Sequence, residues 1–151
     1  MRIGLTLAML LCSSPAVAQS AVVLDRITRA AEICRASITA PDGERADVWT
    51  RASDDRFVQA APDQPYGWTG EGISVRLAPG IIYGAPACEV GVTGSFRPTA
   101  VISAVGTWAR AAGFVAKDDP RLLFSMETED LYLDARRVTD GLIMEFGWRD
   151  D

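Results

Sequence analysis

RLLFSMETEDLYLDARRVTDGLIMEFGW, residues 121–148, reads as three strands and two turns. Arg121 to Glu127, Leu131 to Val138 and Leu142 to Trp148 are runs of strand-forming composition. Thr128-Glu129-Asp130 and Thr139-Asp140-Gly141 separate them, and Asp-Gly between alternating runs is a strong hairpin signal. In the last run Leu142, Met144, Phe146 and Trp148 fall on one face, because strand side chains repeat every two residues. Three hairpin-linked strands in sequence predict an antiparallel meander.

Upstream of this meander lies a helical period. Arg97-Pro98 opens it, with proline at the first-turn position it favours. Val101, Val105, Trp108 and Ala112 follow at i, i+4, i+7 and i+11, Gly113 supplies the stop and Phe114 a hydrophobic seal. The same spacing occurs near the N-terminus, where Val23, Ile27, Ala30, Cys34 and Ile38 form one apolar stripe in a helix over 21–38. Asp25 and Arg29, and Arg29 and Glu32, are i,i+4 and i,i+3 pairs on its solvent side. Pro41-Asp42-Gly43 ends it.

Between the helices the strands are shorter. Arg45 to Ala52 alternates, with Ala46, Val48 and Thr50 opposite Asp47, Trp49 and Arg51, and reads as an edge strand. Arg56 to Ala60 is a second short strand. Ala61 to Gly72, APDQPYGWTGEG, reads as a long irregular loop carrying Tyr66 and Trp68. Ile73 to Leu77 and Ala87 to Val92 resume strand character, and if Cys88 faces the first helix, Val90 and Val92 do too. The order α-β(3–4)-α-β(3), with hairpins and no βαβ rhythm, predicts an α+β fold: two amphipathic helices on one face of an antiparallel sheet. The halves are candidates for a duplicated α-β-β-β unit.

The first residues read as an export signal. Arg2 supplies a positive start, Ile3 to Leu11 an apolar core, and Ala16-Val17-Ala18 the small-x-small pattern that precedes cleavage after Ala18. The apolar run is short of the roughly 20 residues that span a bilayer, and Leu11 is too bulky for a lipid-attachment box at Cys12. Residues 19–151 then form one domain, expected in the periplasm or outside the cell, with no membrane insertion after signal removal. Two cysteines remain, Cys34 and Cys88, and in an exported protein two cysteines are expected to pair.

Charge and composition exclude several functions. Of 15 cationic and 20 acidic side chains, Arg2 leaves with the signal, for a net of −6. Residues 19–117 carry ten of each sign, whereas 118–151 carry ten acids and four arginines. Nucleic acid and anionic lipid need clustered cations, so neither is an expected partner. There is no histidine, which removes Ser-His-Asp and Cys-His nucleophiles and imidazole metal sites. No phosphate-binding glycine motif occurs, and no cofactor or metal is expected.

Two kinds of site remain. Glu127, Glu129, Asp130 and Asp134, with Glu145, form an acidic face that suits a basic partner, or a carboxylate pair of the kind that hydrolyses glycans. Tyr66 and Trp68 on the proline- and glycine-rich loop, and secondarily Trp49, are candidate aromatic anchors for a partner protein or glycan. The expected function is a small exported, non-enzymatic domain that binds a macromolecule of the cell envelope as an accessory or inhibitor. A carboxylate-only envelope hydrolase and a structural envelope component are its rivals.

Overall fold

The structure, a computed structural model, describes residues 15–41, 47–48, 58–59, 67–70, 72–79, 86–94 and 96–149. The first helix, α1 (Pro15–Thr39), begins at Pro15 rather than Ala21 and runs through Ala18. The small residues that fit a cleavage site also suit a helix, alanine being its best former. The apolar stripe lies inward: Ile27, Ala30, Cys34 and Ile38 are buried, joined by Ala31 and Ile33. Ser37 is buried with them, and its hydroxyl donates to the Cys34 carbonyl at 2.8 Å, which satisfies it locally.

The second helix, α2 (Pro98–Ala111), buries Val101, Val105, Gly106 and Ala109. Gly113 ends it at φ 93°, a conformation that favours glycine, and the Phe114 amide returns to the Ala109 carbonyl at 2.9 Å. Phe114 is buried as the expected seal. Its ring lies 6.4 Å from that of Trp108, which is half-buried and meets Phe146 edge-on at 6.0 Å.

Eight strands form one antiparallel sheet among the described residues. They are β1 (Val58–Gln59), β2 (Gly67–Gly70), β3 (Ile73–Pro79), β4 (Pro86–Thr93), β5 (Val115–Lys117), β6 (Phe124–Glu127), β7 (Leu131–Val138) and β8 (Gly141–Trp148). Their order is β1-β2-β3-β4-β8-β7-β6-β5. Both helices pack on one face. Ile73 and Val75 of β3, Cys88, Val90 and Val92 of β4, and Leu142, Met144 and Phe146 of β8 are buried beneath them. Leu131, Leu133 and Ala135 of β7 and Met126 of β6 extend that core. Cys34 and Cys88 are bonded, with Cα atoms 5.3 Å apart, so the staple joins α1 to a central strand. Trp148, at the end of the β8 stripe, is exposed, unlike the three residues before it.

Among the described residues, α1 and α2 are each followed by four strands in meander order, and the two meanders meet at β4 and β8. Each half thus has one more described strand than the expected α-β-β-β unit. Cys88-Glu89-Val90-Gly91 and Met144-Glu145-Phe146-Gly147 occupy matching positions. Cys88 pairs with Phe146, Glu89 with Glu145 and Val90 with Met144, so exchanging the two segments reproduces the register.

Several expectations change. Asp47 and Val48 are helical, not part of a strand over 45–52, and the buried Val48 joins the core from that turn without a ladder partner. Alternation over so few residues does not distinguish the two. Gly67–Gly70 is a strand within the expected loop. Its glycines accompany a tight hairpin: Gly70 pairs with Ile73, Gly72 has φ 70°, and a Cβ there would lie 2.6 Å from the Thr93 carbonyl oxygen. β5 has every residue exposed and so no alternation of apolar and polar character to mark it. β6 starts at Phe124 rather than Arg121, because Asp119 binds the Arg121 amide and side chain and holds the preceding residues in a turn.

Candidate functional site

The pleat that buries alternate residues under the helices places the others on the opposite face, where neither α1 nor α2 lies. There the register lines up one residue from each of six strands: Arg76, Glu89, Glu145, Asp134, Ser125 and Lys117. Three adjacent members of this row are carboxylates. Directly opposed side chains on antiparallel strands have Cβ atoms about 4.5–5.5 Å apart, close enough for like charges to repel.

Each carboxylate is held differently. Glu89 is 7 % exposed. It accepts from Arg76 Nε at 3.2 Å and from Arg76 Nη2, and Arg136 Nη2 stands 3.9 Å from its other oxygen. Its charge is therefore answered by two guanidinium groups. Glu145 is also 7 % exposed, but its partner is a hydroxyl: Tyr132 donates to Oε1 at 2.6 Å. Asp134, half-buried, likewise accepts from the Ser125 hydroxyl at 2.6 Å. Asp134 and Glu145 thus stand side by side on β7 and β8, and no described cation forms an ion pair with either.

Two glycines shape this face. A Cβ at Gly147 would come within 2.5 Å of the ring atoms and hydroxyl of Tyr132, its register partner. Glycine there lets the ring lie flat over β8 and reach Glu145. At the matching position in the other half, a Cβ on Gly91 would come within 2.5 Å of the hydroxyl oxygen of Ser74, again its register partner. The repeated Glu-apolar-Gly triplets therefore place a carboxylate and a seat for a cross-strand side chain in each half.

At the outer strands Glu127 accepts from Lys117 Nζ at 3.0 Å and lies 3.7 Å from Arg149. The hydrogen bond from Lys117, aided by the Arg149 charge, holds its carboxyl below the ordinary value against partial desolvation. Beyond the end of β5, Asp119 takes a forked pair of bonds from Arg121, at 3.0 and 2.7 Å, and a third from its amide at 3.0 Å. These bonds lower its pKa to about 2.

Of the acids singled out from sequence, Glu127 and Asp134 share the open face with Glu145, whereas Glu129 and Asp130 sit exposed in the β6–β7 turn. Trp68 holds the register position opposite Val75 on β2. Tyr66 and Trp49 lie outside the described residues. Glu89, Arg76, Tyr132 and Arg136 were not singled out, although the resemblance of ACEVGV to IMEFGW was present in the sequence as a signal. Among the described residues no three acidic or sulfur side chains converge as metal ligands, and no helix is long and apolar enough to cross a membrane. No protein-family model, curated protein or solved structure matches the chain.

Proposed function

We propose that the protein is an exported, non-enzymatic binding domain that docks a basic protein partner of the cell envelope on the sheet face opposite α1 and α2. The observation that carries this reading is the Asp134–Glu145 pair, two neighbouring carboxylates held by hydroxyls and lacking a cation among the described residues. A lysine or arginine from a partner supplies the missing charge, and hydrogen bonds to a partly desolvated carboxylate contribute more than bonds at an exposed rim. Tyr132 and Ser125 fix the two carboxyl groups beforehand, which reduces the ordering cost of association. Export is supported by the Arg2 to Ala18 pattern and by the Cys34–Cys88 bridge, a bond that persists in oxidising compartments.

The test is site-specific photocrosslinking in the native envelope. A photoreactive residue at Ile143, on the sheet face, is compared with one at Thr107, on the exposed side of α2. A discrete adduct from Ile143 alone, reduced several-fold in Asp134→Asn/Glu145→Gln, supports the reading. Equal adducts from both positions, or no effect of the substitutions, overturns it.

A second reading rests on the same pair. Two opposed carboxylates, one receiving a tyrosine hydroxyl, are the groups that a carboxylate-only glycosidase uses as acid and nucleophile. Turnover of a cell-wall glycan by the folded protein, lost in Glu145→Gln, would favour it over binding.

A further inference from the structure

A cleft of about 380 Å³ lies at the sheet edge, between α2 and the loop that joins β5 to β6. Its lining is mixed: Ile102, Leu122, Phe124 and Met126 contribute apolar groups, beside Arg110, Lys117, Asp118, Asp119 and Ser125. The volume is at the lower end of small-molecule sites, roughly 300–1,000 Å³. The charged groups at its rim are not equivalent. Lys117 is committed to Glu127, and Asp119 to Arg121. Arg110 has no ion pair or hydrogen bond from its guanidinium to any described side chain.

Arg110 is also placed by the sequence. It follows Gly106 by one helical turn, and its two terminal nitrogens lie 3.7 and 3.8 Å from the point where a Cβ on Gly106 would stand. The guanidinium therefore lies back along the helix over a glycine, at the mouth of the cleft. A flat, uncommitted guanidinium beside the apolar side chains of Ile102, Leu122 and Phe124 matches a carboxylate carried on a short aliphatic chain. Asp118 and Asp119 share the rim and oppose a headgroup of higher charge.

We infer that this cleft binds a small amphiphilic monoanion, its carboxylate on Arg110 and its chain against Ile102, Leu122, Phe124 and Met126. The cleft opens at the sheet edge between α2 and the β5–β6 loop, and it meets the charged row of the other face only at Lys117 and Ser125.

Octanoate is the probe, titrated into the full folded protein and followed by amide chemical shifts and calorimetry. The expected result is saturable binding with shifts centred on Gly106, Arg110 and Leu122. Octan-1-ol and acetate should bind at least tenfold more weakly, since each lacks one half of the recognition. Arg110→Gln should weaken octanoate at least tenfold, and Arg110→Lys, which keeps the charge but not the planar fork, should fall between Arg110→Gln and the wild type. Absence of saturable binding, octan-1-ol binding as tightly as octanoate, shifts centred elsewhere, or an unaffected Arg110→Gln variant would each overturn the inference.

Discussion

Replacing Cys34 and Cys88 by alanine removes a cross-link that spans a sequence separation of 54 residues. The chain-entropy treatment assigns a loop of that length about 4 kcal/mol, through the restriction it places on the unfolded chain. Both cysteines are fully buried, so losing two sulfur atoms adds a smaller packing loss, on the order of 1 kcal/mol. The folded state keeps its helix-to-sheet contact, because Ile27, Ala30, Ala31, Ile33 and Ile38 remain against the core. The double variant should therefore fold with a fraction of a typical stability of about 5–15 kcal/mol. For a chain of this length a loss of 1 kcal/mol lowers the melting temperature by roughly 2–4 °C, so the expected drop is about 10–20 °C. Scanning calorimetry of wild type, Cys34→Ala, Cys88→Ala and the double variant measures it. Either single substitution breaks the bond, so each should lose nearly as much as the double, a strongly non-additive cycle. A double-variant shift under 3 °C, or additive singles, would refute the assignment of a stabilising staple.

Gly147→Ala should cost about 2–4 kcal/mol in denaturant unfolding, because the new Cβ meets the rigid Tyr132 ring and breaks its bond to Glu145. Gly91→Ala meets only the rotatable Ser74 hydroxyl at the matching position and should cost under about 1 kcal/mol; equal costs would contradict the Tyr132 seat. Carboxyl chemical shifts should place the Asp119 midpoint near 2, against an ordinary 3.8. Since the folded value is depressed, its contribution to stability is present above about pH 4 and lost as pH falls through 2, and Arg121→Gln should return the midpoint towards 3.8. A wild-type midpoint at 3.8 would remove the Arg121 bonds from the account.

Much of the scaffold was legible because its signals are local. The Asp140-Gly141 dipeptide lies at the β7–β8 hairpin, Pro98 and Gly113 punctuate α2, and the stripe through Cys34 is the buried side of α1. β2 and β5 were hidden for opposite reasons. Glycines in β2 serve a tight turn but read as loop, and β5 buries nothing and so shows no period. The helical Asp47–Val48 needed only one buried residue, too little for a period of either kind. The open-face row is less legible still. Arg76, Glu89, Glu145 and Asp134 come from both halves of the chain and meet through strand order, which hairpin signals set only between sequence neighbours. The repeated Glu-apolar-Gly triplet was the trace of that meeting, since β4 and β8 pair through its two glutamates. By contrast Glu129 and Asp130 belong to the acidic run in sequence but are carried into a turn.

The photocrosslinking comparison bears most directly on the proposal that the sheet face opposite α1 and α2 docks a basic partner through Asp134 and Glu145. A residue at Ile143 stands on that face beside Arg136, its register partner, and one at Thr107 reports the exposed side of α2. The account predicts a discrete adduct from Ile143, absent from Thr107, that weakens with added salt and falls several-fold in Asp134→Asn/Glu145→Gln. An adduct that is equally strong from Thr107, or indifferent to both salt and the two substitutions, would contradict it.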